Sequence, residues 1–157
     1  MHQKTMKNLL IVFHAPSDNT TALKQAIQKG AASMAESVEV LCLSPFDTQP
    51  EHVLNADAII LGTTENLAYM SGALKDFFDR CYYPVLDEKQ GLPVAAVIRA
   101  GSDGTGTKNA LVTILTGLKW RWVQDPLICK GQWQAEFLVQ AEELGEAMAV
   151  ALSEGII

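Results

Sequence analysis

Short apolar runs alternate along the chain with longer, more polar segments. The first run, at 9–13, is an unbroken Leu-Leu-Ile-Val-Phe, as expected of a strand buried on both faces in a parallel sheet covered by helices. Comparable runs follow at 38–43, 58–61 and 94–98, and a fifth lies within 122–129. We therefore predict five strands.

Between these runs, apolar residues recur at helical spacing. The first helix should begin near Thr20, and a short helix should precede Asp57. A helix starting near residue 70 should end between 82 and Pro84, because proline disfavours helical geometry in the residue before it. Strand and helix alternate throughout, which predicts an α/β fold: one domain over residues 1–157, with a parallel sheet between two helical layers.

Three polar turns follow predicted strands, at 14–21, 63–69 and 100–106. The carboxyl ends of parallel strands share one edge of a sheet, and ligands bind there at the point where the strand order reverses. We therefore expect the three turns to converge on one site.

The first of these turns suits a phosphate group. A helix start exposes N–H donors and the positive end of its dipole, and the side chains of Ser17, Asn19 and Thr20 add further donors. The alternative is that Asn19 or Thr20 only caps the helix. The turn contains neither G-x-x-x-x-G-K-[ST] nor G-x-G-x-x-G, which argues against a Walker nucleotidase and a dinucleotide-binding Rossmann turn.

The composition excludes several classes of protein. The 157 residues carry a net charge of −6 with only 12 Lys and Arg, so we expect no nucleic-acid partner. No apolar run has membrane-spanning length and the N-terminus is unlike a signal peptide, so we expect no membrane insertion and a cytoplasmic protein. The three cysteines are scattered through apolar segments, which predicts buried reduced thiols. Neither they nor the histidines show metal-ligand spacing, and we expect no metal site.

Two segments resemble a known superfamily. HAPSDNTTALKQAI, at 14–27, resembles the phosphate loop of flavodoxins. NADAIILGTTENLAYMSGALKDFFDR, at 55–80, resembles the flavin-ring segment of the flavodoxin-like NAD(P)H:quinone oxidoreductases and NADPH-dependent FMN reductases. The resemblance implies a flavodoxin-like three-layer sandwich with a five-stranded parallel sheet in the order 2-1-3-4-5.

The resemblance also implies how FMN would be held. The phosphate would lie on Ser17, Asn19 and Thr20. The ring would be bordered by the second turn and closed at its other edge by the third; the residues concerned are Thr63, Thr64, Glu65, Asn66 and Tyr69, and Gly101, Ser102 and Gly104. Asp18 stands where the family usually has Gly, Ala15 replaces a usual hydroxyl, and Thr64 stands where related enzymes commonly have Pro. These differences bear on the affinity for FMN.

Some of these side chains have a second interpretation. Tyr69 either stacks on the ring or is a partly buried anchor, and Glu65 either accepts a hydrogen bond or is solvated. His14 is more simply a strand-end residue without catalytic duty. The three tryptophans are expected in the core or at subunit contacts.

Such a site needs no catalytic residue from the chain, because the flavin performs the electron transfer. The resemblance implies an oxidoreductase that uses NADPH or NADH to reduce quinones or similar small-molecule acceptors. Two alternatives stay open: a flavodoxin-type electron carrier without its own substrate, and a regulatory relative that has lost the cofactor. Assembly into a homo-oligomer is also left open.

Overall fold

A computed structural model describes residues 6–157, and residues 1–5, which include His2, lie outside it. The strands of the described chain are β1 (Lys7–Phe13), β2 (Val38–Leu43), β3 (Ala58–Asn66), β4 (Tyr69–Met70), β5 (Pro93–Ala100), β6 (Arg121–Trp122) and β7 (Leu127–Lys130). Its α-helices are α1 (Asp18–Ala31), α2 (Pro50–Leu54), α3 (Gly72–Val85), α4 (Thr105–Leu118) and α5 (Glu136–Ser153). Single 3₁₀ turns lie at Ala32–Met34 and Pro45–Asp47.

The sheet has the order β2-β1-β3-β5, and both β6 and β7 then pair with β5. These pairings are all parallel, whereas β4 pairs with β3 in antiparallel orientation. The α/β class and the predicted strand order are confirmed. The strand count differs, because β4 is an addition and the fifth place is divided between β6 and β7. Pro126, between these two pieces, has no N–H to donate to a ladder.

Helices cover both faces of the sheet, which explains the unbroken apolar runs. Alternate residues of β1 belong to different cores. Leu9, Ile11 and Phe13 pack with the apolar faces of α1 and α5. Leu10 and Val12 pack with α3 and α4.

Helices α1 and α5 touch at the backbone. A Cβ built on Gly30 would lie 2.0 Å from the carbonyl oxygen of Glu142. A Cβ built on Gly145 would lie 2.3 Å from the carbonyl oxygen of Ile27. Glycine at both positions therefore permits the close packing of the two helices.

Three predicted boundaries need correction. Helix α1 begins at Asp18, before Thr20, because Ser17 caps it. Strand β3 does not end with the apolar run at 58–61 but continues to Asn66, since Thr63 and Thr64 still pair with β5. Helix α3 continues through Pro84 to Val85. A proline this close to the helix end disrupts only the hydrogen bonding of the last turn.

The cysteines are free in the described chain, with Cys81 and Cys129 buried and Cys42 partly exposed. Burial raises the pKa of both Cys81 and Cys129 to about 11, so these thiols stay protonated at neutral pH. Trp120 is buried, and the other two tryptophans pack against the two cores. Within residues 6–157, no helix combines the length and the apolar character needed to cross a membrane.

Candidate functional site

Three segments meet at the carboxyl edge of the sheet: the turn at 14–17 after β1, the β3–β4 hairpin, and the loop at 101–104 after β5. The strands that carry them are neighbours, because β3 pairs with β1 on one side and with β5 on the other. The backbone N–H of His14 donates to the carbonyl of Gly62 at 3.0 Å, which extends the β1–β3 pairing into the first turn. The predicted convergence of the three segments is therefore observed.

In the first turn, Ser17 and Thr20 bind each other. The Thr20 N–H donates to Ser17 Oγ at 3.2 Å, and the Ser17 N–H donates to Thr20 Oγ1 at 3.0 Å. This reciprocal pair is a capping box. Thr20 is only 2% exposed, and its hydroxyl also contacts the Ser17 hydroxyl at 2.8 Å. The N-cap is therefore Ser17, not Asn19 or Thr20 as the capping alternative had it, and Thr20 completes the box from the third position of the helix. A role of these side chains in phosphate binding stays a prediction.

The main chain of the same turn keeps donors for an anion. The first intrahelical bond runs from the Thr21 N–H to the Ser17 carbonyl, so the N–H groups of Asp18 and Asn19 have no acceptor inside the helix. The side chains of Asp18 and Asn19 are exposed beside them. Burial lowers the pKa of His14, which favours its neutral form.

The β3–β4 hairpin turns through Leu67 and Ala68, which both have positive φ (53° and 61°). Asn-Gly is usual in two-residue hairpin turns with this geometry. A left-handed backbone costs a residue other than glycine about 1–3 kcal/mol, so neighbouring contacts must hold the turn. Leu67 is fully exposed and Tyr69 is 39% exposed, so the hairpin presents two large side chains to solvent.

The other polar side chains of the hairpin are bonded locally. Thr63 is buried; its Oγ1 accepts from the Ser71 N–H and donates to the Thr64 carbonyl, both at 2.9 Å. Thr64 Oγ1 donates to Asn66 Oδ1 at 3.0 Å. Thr63 therefore fixes the start of α3, while Thr64 and Asn66 brace the hairpin near its tip.

Four contacts join the hairpin to the third loop and the start of α4, and we call this region the hairpin–α4 junction. The Glu65 carboxylate accepts from the N–H of Ser102 at 3.0 Å and from the N–H of Gly104 at 2.9 Å. Thr107 Oγ1 donates to the carbonyl of Tyr69 at 2.9 Å. The Ala68 carbonyl lies against Gly106, where a built Cβ would be 2.0 Å from that oxygen.

This junction differs from the sequence interpretation. Of the two alternatives for Glu65, hydrogen bonding applies, but its donors are the main-chain groups that the resemblance assigned to the ring edge. Gly106 and Thr107 were missed altogether. The sequence signal at these positions was the run of small residues at 104–107. The hairpin residues that this run contacts lie almost 40 residues earlier in the chain.

The third loop keeps open space at Gly101. Within residues 6–157, no atom beyond the neighbouring residues lies within 4 Å of a Cβ built there. Asp103 is exposed, and hydrogen bonds from the backbone and side chain of Thr105 hold the pKa of its carboxyl below the usual value. The loop therefore leaves open space at Gly101, beside a carboxylate that stays ionised at neutral pH.

A separate cavity of about 210 Å³ opens at the amino end of the sheet. It is lined by β1, β2 and the segment before β3, including His52 and Asn55. His52 Nδ1 accepts from the N–H of Gln49 at 2.8 Å and so serves the start of α2. This cavity lies at the opposite end of the strands from the three converging segments.

The chain is similar to known proteins along much of its length. The family model described as NADPH-dependent FMN reductase matches residues 46–134, more than half of the chain. A flavodoxin of Aquifex aeolicus (strain VF5) is 29% identical over 113 residues, which are 72% of this chain. The aligned part spans 60% of the length of that flavodoxin.

Solved structures share the fold. A flavodoxin from the domain Archaea superposes with a TM-score of 0.78 at 23% identity, covering 92% of this chain and 98% of its own. A flavodoxin, WrbA-like protein from Agrobacterium tumefaciens gives 0.73 at 19% identity, covering 94% and 98%. These likenesses show a flavodoxin-like fold.

Proposed function

The chain belongs to the NADPH-dependent FMN reductase family, and on that premise we propose that it binds FMN and uses NADPH or NADH to reduce quinones or similar small-molecule acceptors. One observation carries the proposal. A helix start with free main-chain donors lies at the same sheet edge as a hairpin with an exposed tyrosine and a loop with an open glycine. The helix start suits an anion, and the hairpin and the loop suit a flat ring. One ligand that carries both groups would therefore fit this edge of the sheet.

At the proposed phosphate end, main-chain N–H groups would contribute more to binding the phosphate than side chains would. The N–H groups of Asp18 and Asn19 point out of the first turn of α1, where the helix dipole favours an anion. Asn19 adds an exposed amide. Ser17 and Thr20 would act mainly by fixing this turn through their capping box. The exposed Asp18 carboxylate opposes a phosphate by charge repulsion.

At the proposed ring end, the shape of the hairpin and of the third loop suits a flavin ring. Tyr69 is exposed enough to stack on an aromatic ring. Gly101 and Ala68 are small, so that a ring and then a second substrate can approach closely. Thr64 and Asn66, held by their mutual hydrogen bond, would border the ring at the hairpin.

A bound flavin supplies the electron-transfer chemistry, and the protein supplies position and electrostatics. We therefore assign no catalytic acid, base or nucleophile to the chain. The open ring face at Gly101 and Ala68 is what a reductase needs, since nicotinamide and acceptor must each reach the ring.

A flavodoxin-type electron carrier is the second candidate. The relative from Aquifex aeolicus and the archaeal structural neighbour, both called flavodoxins, favour it. A carrier exchanges electrons with a partner protein and has no substrate pocket of its own.

Steady-state turnover separates the two candidates. The FMN-loaded protein is mixed with NADPH or NADH and a quinone, and loss of nicotinamide absorbance is followed against a control with free FMN. A reductase should turn over at about 1 per second or faster. If neither nicotinamide reduces the bound flavin, but a flavodoxin reductase does, the carrier assignment replaces ours.

The remaining expectations stay predictions. They are a cytoplasmic location, a single domain and the absence of nucleic-acid partners.

A further inference from the structure

The Glu65 carboxylate has an unusual set of partners for a loop glutamate. Both of its oxygens accept main-chain hydrogen bonds, from Ser102 and Gly104, which lie 37 and 39 residues further along the chain. Hydrogen bonds to an ionised group are stronger than neutral ones. Gly104 is also the N-cap residue of α4, where the helix dipole favours a negative charge. Glu65 is therefore well held where it lies.

The two other contacts of the junction hold the hairpin in the same place. Thr107 binds the Tyr69 carbonyl, and the Ala68 carbonyl lies against the backbone of Gly106. A ring that took the N–H groups of Ser102 and Gly104 would have to expel a carboxylate whose strand stays fixed by these contacts. The arrangement favours a carboxylate that remains in place when a ligand binds.

We propose that Glu65 is a positioning residue of the flavin site, which ties the hairpin to the third loop so that both walls around the ring are assembled before the ring arrives. The inference rests on the proposed FMN site. Walls that are already ordered lower the entropic cost of binding. The N–H groups of Ser102 and Gly104 then support the ring only through the shape of the loop.

The test replaces Glu65 by glutamine. Glu65→Gln keeps the shape and one acceptor oxygen, but it removes the charge and turns an NH₂ group towards one of the two N–H donors. Glu143→Gln, on the exposed side of α5, makes the same change of charge away from the site and is the control.

Two measurements are made on each protein. Amide exchange by NMR, without cofactor, should show the Ser102 and Gly104 N–H groups exchanging at least roughly tenfold faster in Glu65→Gln. Lumiflavin, which carries the ring without ribityl chain or phosphate, should bind about tenfold more weakly to that variant. Because lumiflavin is titrated well below the melting temperature, a loss of stability alone would not move its affinity. Glu143→Gln should match the wild type in both measurements.

The other outcomes would overturn the proposal. Faster amide exchange with unchanged lumiflavin affinity would show that Glu65 is a structural residue only. Unchanged exchange would show that Glu65 does not hold the N–H groups of Ser102 and Gly104. A wild-type protein that binds no flavin overturns the proposed function, and this inference with it. If Glu65→Gln does not fold, Glu65→Asp, which keeps the charge but is one methylene shorter, should give the same two losses.

Discussion

The two ends of the candidate site are built differently. At the proposed phosphate end, Ser17 and Thr20 bind each other across three residues of sequence, and the turn needs no distant partner. At the proposed ring end, Glu65 and Thr107 make hydrogen bonds that span 37 to 39 residues. The first end should therefore tolerate changes elsewhere in the chain, whereas the second depends on how β3, β5 and α4 are packed together.

The largest effect should come from Gly106→Ala at the ring end. The new Cβ would meet the Ala68 carbonyl at 2.0 Å, so the hairpin or α4 must move. We expect a loss of about 1–3 kcal/mol in the free energy of unfolding, as for other overpacked sites. FMN and riboflavin should lose affinity by the same factor, because the change lies at the ring end. Urea unfolding and flavin titration measure both effects.

Gly72→Ala is the matched control. Gly72 also lies in the first turn of a helix, but within the described chain no atom beyond its neighbours comes within 4 Å of a built Cβ. Alanine there should leave stability unchanged or raise it by up to about 1 kcal/mol. Equal effects of the two substitutions would contradict the close contact at Gly106.

An Asn→Asp substitution can be made at both ends of the site. Asn19→Asp places a new carboxylate at the start of α1, beside the proposed phosphate, and should weaken FMN roughly fivefold, about 1 kcal/mol, with riboflavin unaffected. Asn66→Asp at the hairpin keeps the acceptor for Thr64 Oγ1 and should change the affinities for FMN and riboflavin by one common factor. Isothermal titration of both ligands gives the ratio of affinities for each variant. If the ratio of the affinities for FMN and riboflavin falls only in Asn66→Asp, the phosphate lies at the hairpin and the ligand is bound in the opposite orientation.

The smallest effect concerns His14. Burial disfavours its imidazolium form, so its pKa lies below the ordinary value in the free protein. A phosphate bound in the following turn would favour the charged form, and the pKa should rise on binding FMN but not riboflavin. NMR titration of the His14 ring in the three states measures this. Identical titration curves of His14 with FMN and with riboflavin would show that the phosphate does not bind near His14.

Local signals in the sequence carried the prediction of the sheet and the first turn. Residues 9–13 are apolar throughout because helices cover both faces of β1, and such a run is visible without knowing its partners. Apolar residues at helical spacing follow the first turn, and they placed the helix start near Thr20, within two residues of the observed start at Asp18.

Contacts between residues far apart in the chain could not be predicted from such local signals. Thr63 and Thr64 are polar and follow a glycine, which suggests a turn, yet pairing with Ile98 and Arg99 keeps them in β3. The partners of Glu65 are main-chain groups, which leave no trace in residue identity. Gly106 is one of several glycines in its segment, and only the position of the hairpin shows which of them must lack a side chain.

The affinities of the purified apoprotein for FMN and riboflavin test whether the start of α1 holds the phosphate of FMN. Both flavins share the ring, and only FMN carries the phosphate that we place at the start of α1. Hydrogen bonds to a charged group contribute about 1.5–3 kcal/mol, so FMN should bind roughly tenfold or more tightly than riboflavin. Equal affinities would show that the start of α1 does not bind the phosphate, and no uptake of either flavin would show that the protein does not bind FMN.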